Sequence, residues 1–151
     1  MAEETQQSGA TRGGVIRLEV VTPVGAAVRA DVDQVEAPSV DGEFGVLPGH
    51  LPLLAALKAG VVRYRSAGKS FVVAVGPGFA EAGPEAMSIL TDRCVESADV
   101  DTAAARASLD EVTRQLDALQ GSVDSAERGE LVRSAEWLQA QLDAAKESGR
   151  N

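Results

Sequence analysis

The hydrophobic pattern of the chain changes its period once, and this change constrains the fold more than any other feature. From Val15 to about Glu96, apolar and polar residues alternate, as in the stretch IRLEV that begins at Ile16. From Asp99 onward, glycine and proline nearly disappear, and apolar residues recur every three or four positions. A period of two indicates half-buried strands, whereas the longer period indicates amphipathic helices. The chain therefore predicts strands followed by helices.

The alternating part is divided into short runs by strong turn signals. Asp41-Gly42 is one such signal, and the stretch GPG at residues 76–78 is another. Many short strands with frequent turns predict an antiparallel β-sandwich or flattened barrel. The apolar phase slips between Val32 and Val35, which predicts a bulge near Asp33-Gln34.

The helical part contains two narrow apolar seams, one on each side of Gly121, the predicted helix stop. Ser122, Asp124 or Ser125 could cap the second helix. Each seam is too thin to fold alone, so we expect an antiparallel hairpin whose helices pack on each other or on a partner. The seams consist of Leu109, Val112, Leu116 and Leu119, and of Leu131, Ala135, Leu138, Leu142 and Ala145.

Together these patterns predict an α+β protein, with an N-terminal antiparallel β-sandwich followed by a C-terminal antiparallel two-helix hairpin. The expected organisation is a disordered polar tail at 1–14, a β-sandwich domain at 15–96 and a helical hairpin at 97–148.

Composition excludes several classes of function. The formal net charge of −9 argues against nucleic-acid binding and against electrostatic docking on anionic lipid. The single cysteine, Cys94, cannot form an internal disulfide, so we expect a reducing compartment. No apolar run approaches the roughly 18 residues of a membrane span. The first residues lack the apolar core of a signal peptide.

The only histidine, His50, lies in the unusual stretch GEFGVLPGHLPLLAALKAG at residues 42–60. A catalytic role would need a nucleophile and an orienting acid beside it, and no nucleophile motif surrounds any serine. A metal site would need more ligands than one histidine and one distant cysteine. Pro48 and Pro52 restrict the backbone, and Gly49 permits a positive φ. A rigid, nearly uncharged turn suited to a protein contact is the favoured interpretation.

The stretch GEFGVLPGHLPLLAALKAGVVRY resembles the signature of the ε subunit of F-type ATP synthase. The later GPGFAEAGPEAMSILTD resembles the strand pair of that family, with Pro77 where a second glycine is usual, and IRLEVVTPVG resembles its first strand and turn. The resemblance covers residues 15 to about 120. The signature positions are Gly42, Glu43, Gly45, Pro48, Gly49, His50, Pro52 and Leu53.

The resemblance implies a non-catalytic subunit in the central stalk of a rotary motor, with no catalytic, cofactor-binding or metal-binding residues. Its sandwich would bind the γ subunit on one side and the c-subunit ring below, and would help to transmit torque. Its hairpin would fold down on the sandwich or extend along γ into the α/β head, where it inhibits ATP hydrolysis. The expected location is peripheral, without membrane insertion, on the cytoplasmic face of the bacterial plasma (inner) membrane.

The resemblance also implies which residues meet partners: Glu43, Pro48, Gly49, His50 and Pro52. Glu43 is expected to pair with a basic group of the c-subunit loop, and the others to shape a foot that faces the ring. The hairpin carries 11 acidic and 5 basic residues between positions 99 and 147, which suits docking on basic patches of the head or of γ.

Some members of this family bind ATP through an acidic residue followed three positions later by Arg-Ala. Here Asp101 is followed at that distance by Ala104, and the nearest arginine is Arg106. Two further positions rotate a helical side chain by about 200°. Arg128 and Arg133 are also five positions apart. We therefore expect no tight ATP binding.

Two other functions remain open at this point. The same architecture could serve a free-standing adaptor or chaperone, which would not co-purify with α, β and γ subunits. A small hydrolase using His50 would lose its turnover in His50→Ala.

Overall fold

The computed structural model describes residues 14–119 and 125–149. The predicted tail at 1–14, apart from Gly14, lies outside the described residues, as do Gly121, Ser122 and Asp124. The strands are β1 Ile16–Thr22, β2 Gly25–Val32, β3 Gln34–Ser39, β4 Gly42–Val46, β5 Leu53–Leu57, β6 Gly60–Ser66, β7 Lys69–Val75, β8 Gly78–Ala82, β9 Ala86–Thr91 and β10 Cys94–Glu96. The helices are α1 Thr102–Ala118 and α2 Ser125–Ser148, and a 3₁₀ turn, Ser97–Asp99, precedes α1.

The strands form one hydrogen-bonded path in the order β10-β7-β6-β3-β5-β8-β9-β1-β2, with β4 paired to β3. Both halves of this path contribute side chains to a shared apolar core, as in a β-sandwich. Every described pair is antiparallel except β1 with β9, which is parallel. The predicted fold class, a sandwich followed by two helices, is confirmed.

The phase slip near Asp33 has a different cause from the predicted bulge. The register shift in this region of the chain lies instead between Val20 and Val21, where β1 pairs with β2. At Asp33 the chain leaves its pairing with β1 and enters β3, which pairs with β4, β5 and β6. The Asp33 amide donates to the Arg65 carbonyl oxygen at 2.8 Å, which anchors the crossing. The slip therefore marks a change of strand partner.

The core of the sandwich is mainly aliphatic, and Tyr64 is the one aromatic residue buried in it among the described residues. Ile16, Leu18, Met87 and Ile89 are completely buried in it. Burial of such a side chain stabilises the fold by about 1.5–3 kcal/mol. Among the residues that the structure describes, the last one along the chain that packs against this core is Cys94, so the described parts of the helices make no contribution to it.

The helices form the predicted hairpin, and one of them also packs on the sandwich. α1 begins after Asp101, whose carboxylate accepts a hydrogen bond from the Ala104 amide at 3.0 Å and caps the helix. The two helices pack against each other, and α2 also lies on β6 and β7. The predicted leucine seam of α2 is half-buried. A second seam, absent from the prediction, faces the sheet.

Candidate partner interfaces

The loop between β4 and β5, residues 47–52, is a tight turn held by backbone hydrogen bonds within itself and to the β8–β9 connection. Gly49 has φ +84°, in the region that favours glycine. Its amide donates to the Pro84 carbonyl oxygen at 2.9 Å, and the His50 amide donates to the Leu47 carbonyl oxygen at 3.1 Å. Leu47 and Leu51 are 60% and 79% exposed. The turn therefore presents two leucines to solvent on a fixed backbone.

His50 stabilises this turn from within. Its Nδ1 lies 2.6 Å from the Leu51 carbonyl oxygen, a distance that fits a donated N–H hydrogen bond. Across the part of the chain that the structure describes, this carbonyl is the only hydrogen-bond partner of the ring. Such an imidazole shapes a loop, whereas general-base catalysis would require it to face a nucleophile.

Glu43 is not part of this turn. It lies near the start of β4, opposite Pro38 in the β3–β4 register. At about 3.3 Å per residue, it lies roughly 10 Å along the strand from Val46, which precedes the turn. The structure thus brings together four of the five predicted partner-binding residues and places Glu43 elsewhere; the four are Pro48, Gly49, His50 and Pro52.

Glu43 belongs to a cluster of charges that is centred on Arg63 of β6. Arg63 Nη1 donates to Glu43 Oε1 at 2.9 Å and lies 3.8 Å from Glu36 Oε2. Arg63 Nε donates to Glu147 Oε2 of α2 at 2.7 Å, and Nη2 donates to Glu147 Oε1. We call Glu36, Glu43, Arg63 and Glu147 the Arg63 cluster. It joins the hairpin to the sandwich.

The guanidinium of Arg63 is partly buried by this arrangement. The hydrogen bonds that Arg63 donates to Glu147 raise the pKa of Arg63 further, against the opposing effect of burial, and Glu43 adds to the rise. Arg63 is therefore a permanent cation between the two domains. In the sequence its only signal is the alternation of Arg63 with the buried Val62 and Tyr64, which shows that it faces outward and does not show what it meets.

The second seam of α2 seats the hairpin on β6 and β7. Ala140 and Ala144 are buried there against Val61 and Ala74. Trp137 packs at the edge of this contact. The contact is made mainly of small side chains, so it buries little apolar area per residue and stabilises the docked hairpin only modestly.

Trp137 also stacks against a cation of the sandwich. The guanidinium carbon of Arg93 lies 5.4 Å from the centre of the Trp137 ring. This distance is within the range of a cation–π interaction. Trp137 is the only tryptophan of the chain. It therefore lies at the boundary between α2 and the sandwich and reports on this contact alone.

An exposed apolar row crosses strands of the sandwich that the hairpin does not cover. The cross-strand partners Ala56, Phe79, Leu90 and Val21 belong to β5, β8, β9 and β1. Phe79 and Leu90 are 59% and 55% exposed, and Leu54 beside them is 73% exposed. We call these five residues the apolar row. A contiguous apolar surface of this kind is typical of a protein-binding site. The alternation of Phe79 with the buried Ala80 could have revealed it.

Cys94 is a half-buried free thiol. Burial, with a smaller contribution from the Glu96 carboxylate, raises the pKa of Cys94 to about 11. The thiol is therefore protonated and unreactive near neutral pH. Within residues 14–119 and 125–149, no three His, Cys, Asp or Glu side chains are grouped so that they could hold a metal ion.

The residues considered for ATP binding are not assembled around one point by the described contacts. Asp101 caps α1, and Arg106 is exposed on the same helix. Arg133 lies over Gly129 of α2, 3.2 Å from the position a Cβ would occupy. The absence of tight ATP binding stays a prediction.

Comparison with known proteins identifies the family. Residues 15–97 match the family model described as ATP synthase, Delta/Epsilon chain, beta-sandwich domain. The ATP synthase epsilon chain of Anoxybacillus flavithermus is 41% identical over 105 residues, which cover 70% of this chain and 78% of the relative. That of Nitratidesulfovibrio vulgaris strain DP4 is 38% identical over 111 residues, 74% and 83% of the two chains.

The chain belongs to the ATP synthase epsilon chain family. The resemblance carried by the His50 loop is thereby confirmed. In this epsilon-family chain, neither α1 nor α2 combines the length and the apolar character needed to cross a bilayer.

Solved structures share the fold of this epsilon-family chain. A chain in the Euglena gracilis mitochondrial ATP synthase (OSCP/F1/c-ring) superposes with a TM-score of 0.74 at 20% identity, covering 91% of this chain and 82% of that one. A chain in the central stalk and c-ring of Tetrahymena thermophila mitochondrial ATP synthase gives 0.58 at 13% identity, covering 86% and 96%. At such identities the likeness concerns the fold alone.

Proposed function

We propose that this chain is a non-catalytic central-stalk subunit of a proton-translocating rotary ATP synthase, which couples rotation of the c ring to the catalytic head through γ. Its membership of the epsilon chain family carries the proposal. In a bacterial cell such a complex places the chain at the cytoplasmic face of the plasma membrane, as a peripheral subunit without membrane insertion.

The apolar row is the proposed binding surface for γ. It lies on strands that α2 leaves uncovered, so γ could bind while the hairpin is docked. Phe79 at its centre is flanked along β8 by the exposed Glu81. An aromatic anchor with polar residues around it is the usual composition of a binding hot spot.

The turn at 47–52 is the proposed contact with the c ring. Its two exposed leucines and its fixed backbone supply a preorganised surface, which lowers the entropy lost on binding. Glu43 is proposed to pair with a basic group of the c-subunit loop. It would make this contact from strand β4 and not from the turn. In the folded-down state its carboxylate is engaged by Arg63.

The hairpin is the proposed inhibitor of ATP hydrolysis. Docking of α2 relies on small apolar side chains and a few charges, and these belong to a separate cluster from the sandwich core. Release of α2 therefore leaves that core buried. The released hairpin would extend along γ to the α/β head, and its net negative charge suits basic patches there.

Co-purification tests the proposed function. The chain, expressed in its native host, should be recovered with α, β, γ and the c ring in fixed stoichiometry. Phe79→Asp should remove the chain from the complex while leaving the isolated chain folded, because a charge in the apolar row is desolvated on binding. Val132→Asp is the control, since Val132 is also an exposed apolar residue but lies on α2, away from the apolar row.

Recovery of the chain alone, or with an unrelated protein, would instead support the adaptor function. Full assembly of Phe79→Asp would show that γ binds a different surface.

A further inference from the structure

The Arg63 cluster contains more negative than positive charge, and its acids belong to different domains. Three carboxylates surround one guanidinium. Glu147 belongs to the hairpin, whereas Glu36 and Glu43 belong to the sandwich. We propose that Arg63 is an electrostatic latch for the hairpin, and that Glu43, which shares this cation with Glu147, weakens the latch. The consequence for ATP hydrolysis rests on the proposed function, whereas the latch itself is a property of the isolated chain.

The attraction between Arg63 and Glu147 favours docking. Two nitrogens of Arg63 donate to the two oxygens of Glu147, a bidentate geometry that gives strong charge-assisted hydrogen bonds. The side chains are 32% and 31% exposed, so solvent screens the pair only partly. Because Ala140 and Ala144 bury little area, this pair is a large part of what distinguishes the docked from the released hairpin.

Glu43 acts in the opposite direction. In the docked state its charge repels that of Glu147 across the same guanidinium. In the released state Glu43 still pairs with Arg63, so the cation is not left without a partner when α2 departs. Both effects lower the cost of release. Lys58, Asp143 and Lys146 line the same cleft and adjust the local field without joining these hydrogen bonds.

The arrangement couples the hairpin to whatever binds Glu43. A partner that presents a basic group to this carboxylate would draw it away from Arg63. Its repulsion of Glu147 would then fall, and the hairpin would dock more tightly. By linkage, a docked hairpin would in turn favour binding of that basic group. Contact at this edge of the sandwich would therefore hold the hairpin in its non-inhibitory position.

Opposite shifts from two neighbouring acids provide the test. The isolated full-length chain is titrated with urea, and emission of Trp137, which lies at the contact, reports release of α2. Glu147→Gln should raise the released-to-docked ratio roughly three- to tenfold. Glu43→Gln should lower it roughly two- to threefold, because repulsion of Glu147 is removed.

Two control variants lose the same negative charge at carboxylates outside the Arg63 cluster. Glu111→Gln removes a hairpin carboxylate that pairs with Arg114 of the same helix. Glu19→Gln removes a sandwich carboxylate that pairs with Arg29. Neither should change the ratio beyond experimental error. Arg63→Gln should raise the ratio at least as much as Glu147→Gln, because it leaves Glu147 close to Glu36 and Glu43 without the cation between them.

The latch is wrong if Glu147→Gln behaves like Glu111→Gln, or if Glu43→Gln shifts the ratio in the same direction as Glu147→Gln. ATP hydrolysis by the assembled complex is measured separately, and Glu147→Gln should make it more strongly inhibited. Opposite shifts in the isolated chain with unchanged hydrolysis would support the latch and remove hairpin inhibition from the proposed function. If no variant shifts Trp137 emission in the isolated chain but the hairpin does inhibit hydrolysis by the complex, the latch is wrong and the proposed function stands.

Discussion

At the scale of single residues, Gly49 has the clearest requirement. Its φ of +84° disfavours any residue with a Cβ, although a Cβ there would meet no other atom. Gly49→Ala should therefore lower the free energy of unfolding by about 1 kcal/mol through backbone strain alone. Urea denaturation of the isolated chain measures this change. Gly45→Ala is the control, since its Cβ makes only an ordinary contact at 3.9 Å with the Val35 carbonyl oxygen. Equal losses in both variants would contradict the explanation.

Cys94 should make stability depend on alkaline pH. Its pKa is about 11 in the folded chain and near 9 when exposed, so the unfolded state loses its proton first. The stability that depends on the protonated thiol is therefore fully present below pH 9 and is lost between about pH 9 and 11. We expect a loss of about 1–2 kcal/mol, less than the shift alone implies because the thiol is partly exposed.

Comparing urea denaturation of the wild type and Cys94→Ala at pH 8 and pH 11 isolates this contribution. Tyr64, whose pKa is raised by burial and also by the charges of Glu96 and Cys94, is present in both chains, so only its interaction with the Cys94 thiolate enters the difference. A pH dependence that survives unchanged in Cys94→Ala would contradict the assignment.

The predictability of residues from sequence depended on how far away their partners lie. The turn around His50 was predictable because Pro48, Gly49 and Pro52 act on the backbone of their own segment. The environment of Glu43 was not, because its partner Arg63 is 20 positions away. Glu147 joins the same cation from 84 positions away. Alternation along a strand shows which side a residue faces, but not which helix will cover that side.

At the scale of elements, period and turn residues indicated the strands and both helices, but not the second face of α2. The leucine seam is visible because leucines stand out in a polar helix. The face that meets the sheet is built from Ala140 and Ala144, and alanine is equally at home on an exposed helix. The buried Val61 and Ala74 give the same ambiguity from the side of the sheet.

Helix α2 contains one residue that weakens it. Gly129 lies within Ser125–Ser148, and a Cβ there would approach only the end of the Arg133 side chain, at 3.2 Å. That flexible side chain can move, so Gly129→Ala should stabilise the helix by roughly 0.5–1 kcal/mol. Hydrogen exchange of α2 amides measures the gain. Gly149→Ala, just beyond the end of the helix, should give none. A loss of protection in Gly129→Ala would mean that Arg133 cannot move aside.

At the scale of the whole molecule, the sandwich should fold without the hairpin. Within residues 14–119 and 125–149 its main core extends no further along the chain than Cys94, so truncation after Glu96 removes none of those core residues. The truncated chain should unfold cooperatively in urea, with a modest loss of stability from the uncovering of Val61 and Ala74. It should also raise ATP hydrolysis by the assembled complex, because the proposed inhibitory element is missing.

A truncated chain that is unfolded would show that the hairpin completes the sandwich. Unchanged hydrolysis with normal assembly would show that the hairpin does not inhibit in this complex.

The parallel pairing of β1 with β9 has a consequence for the chain as it is synthesised. Arg17 aligns with Ala86, so one edge of the first strand stays open until the ninth has been made. At about 5–20 residues per second, a ribosome needs roughly 4–14 s to cover that interval. Pairing of such distant segments is also intrinsically slow, because a long loop must close first. Strands β1 and β2 can pair early, but the nascent sandwich closes only when translation reaches β9.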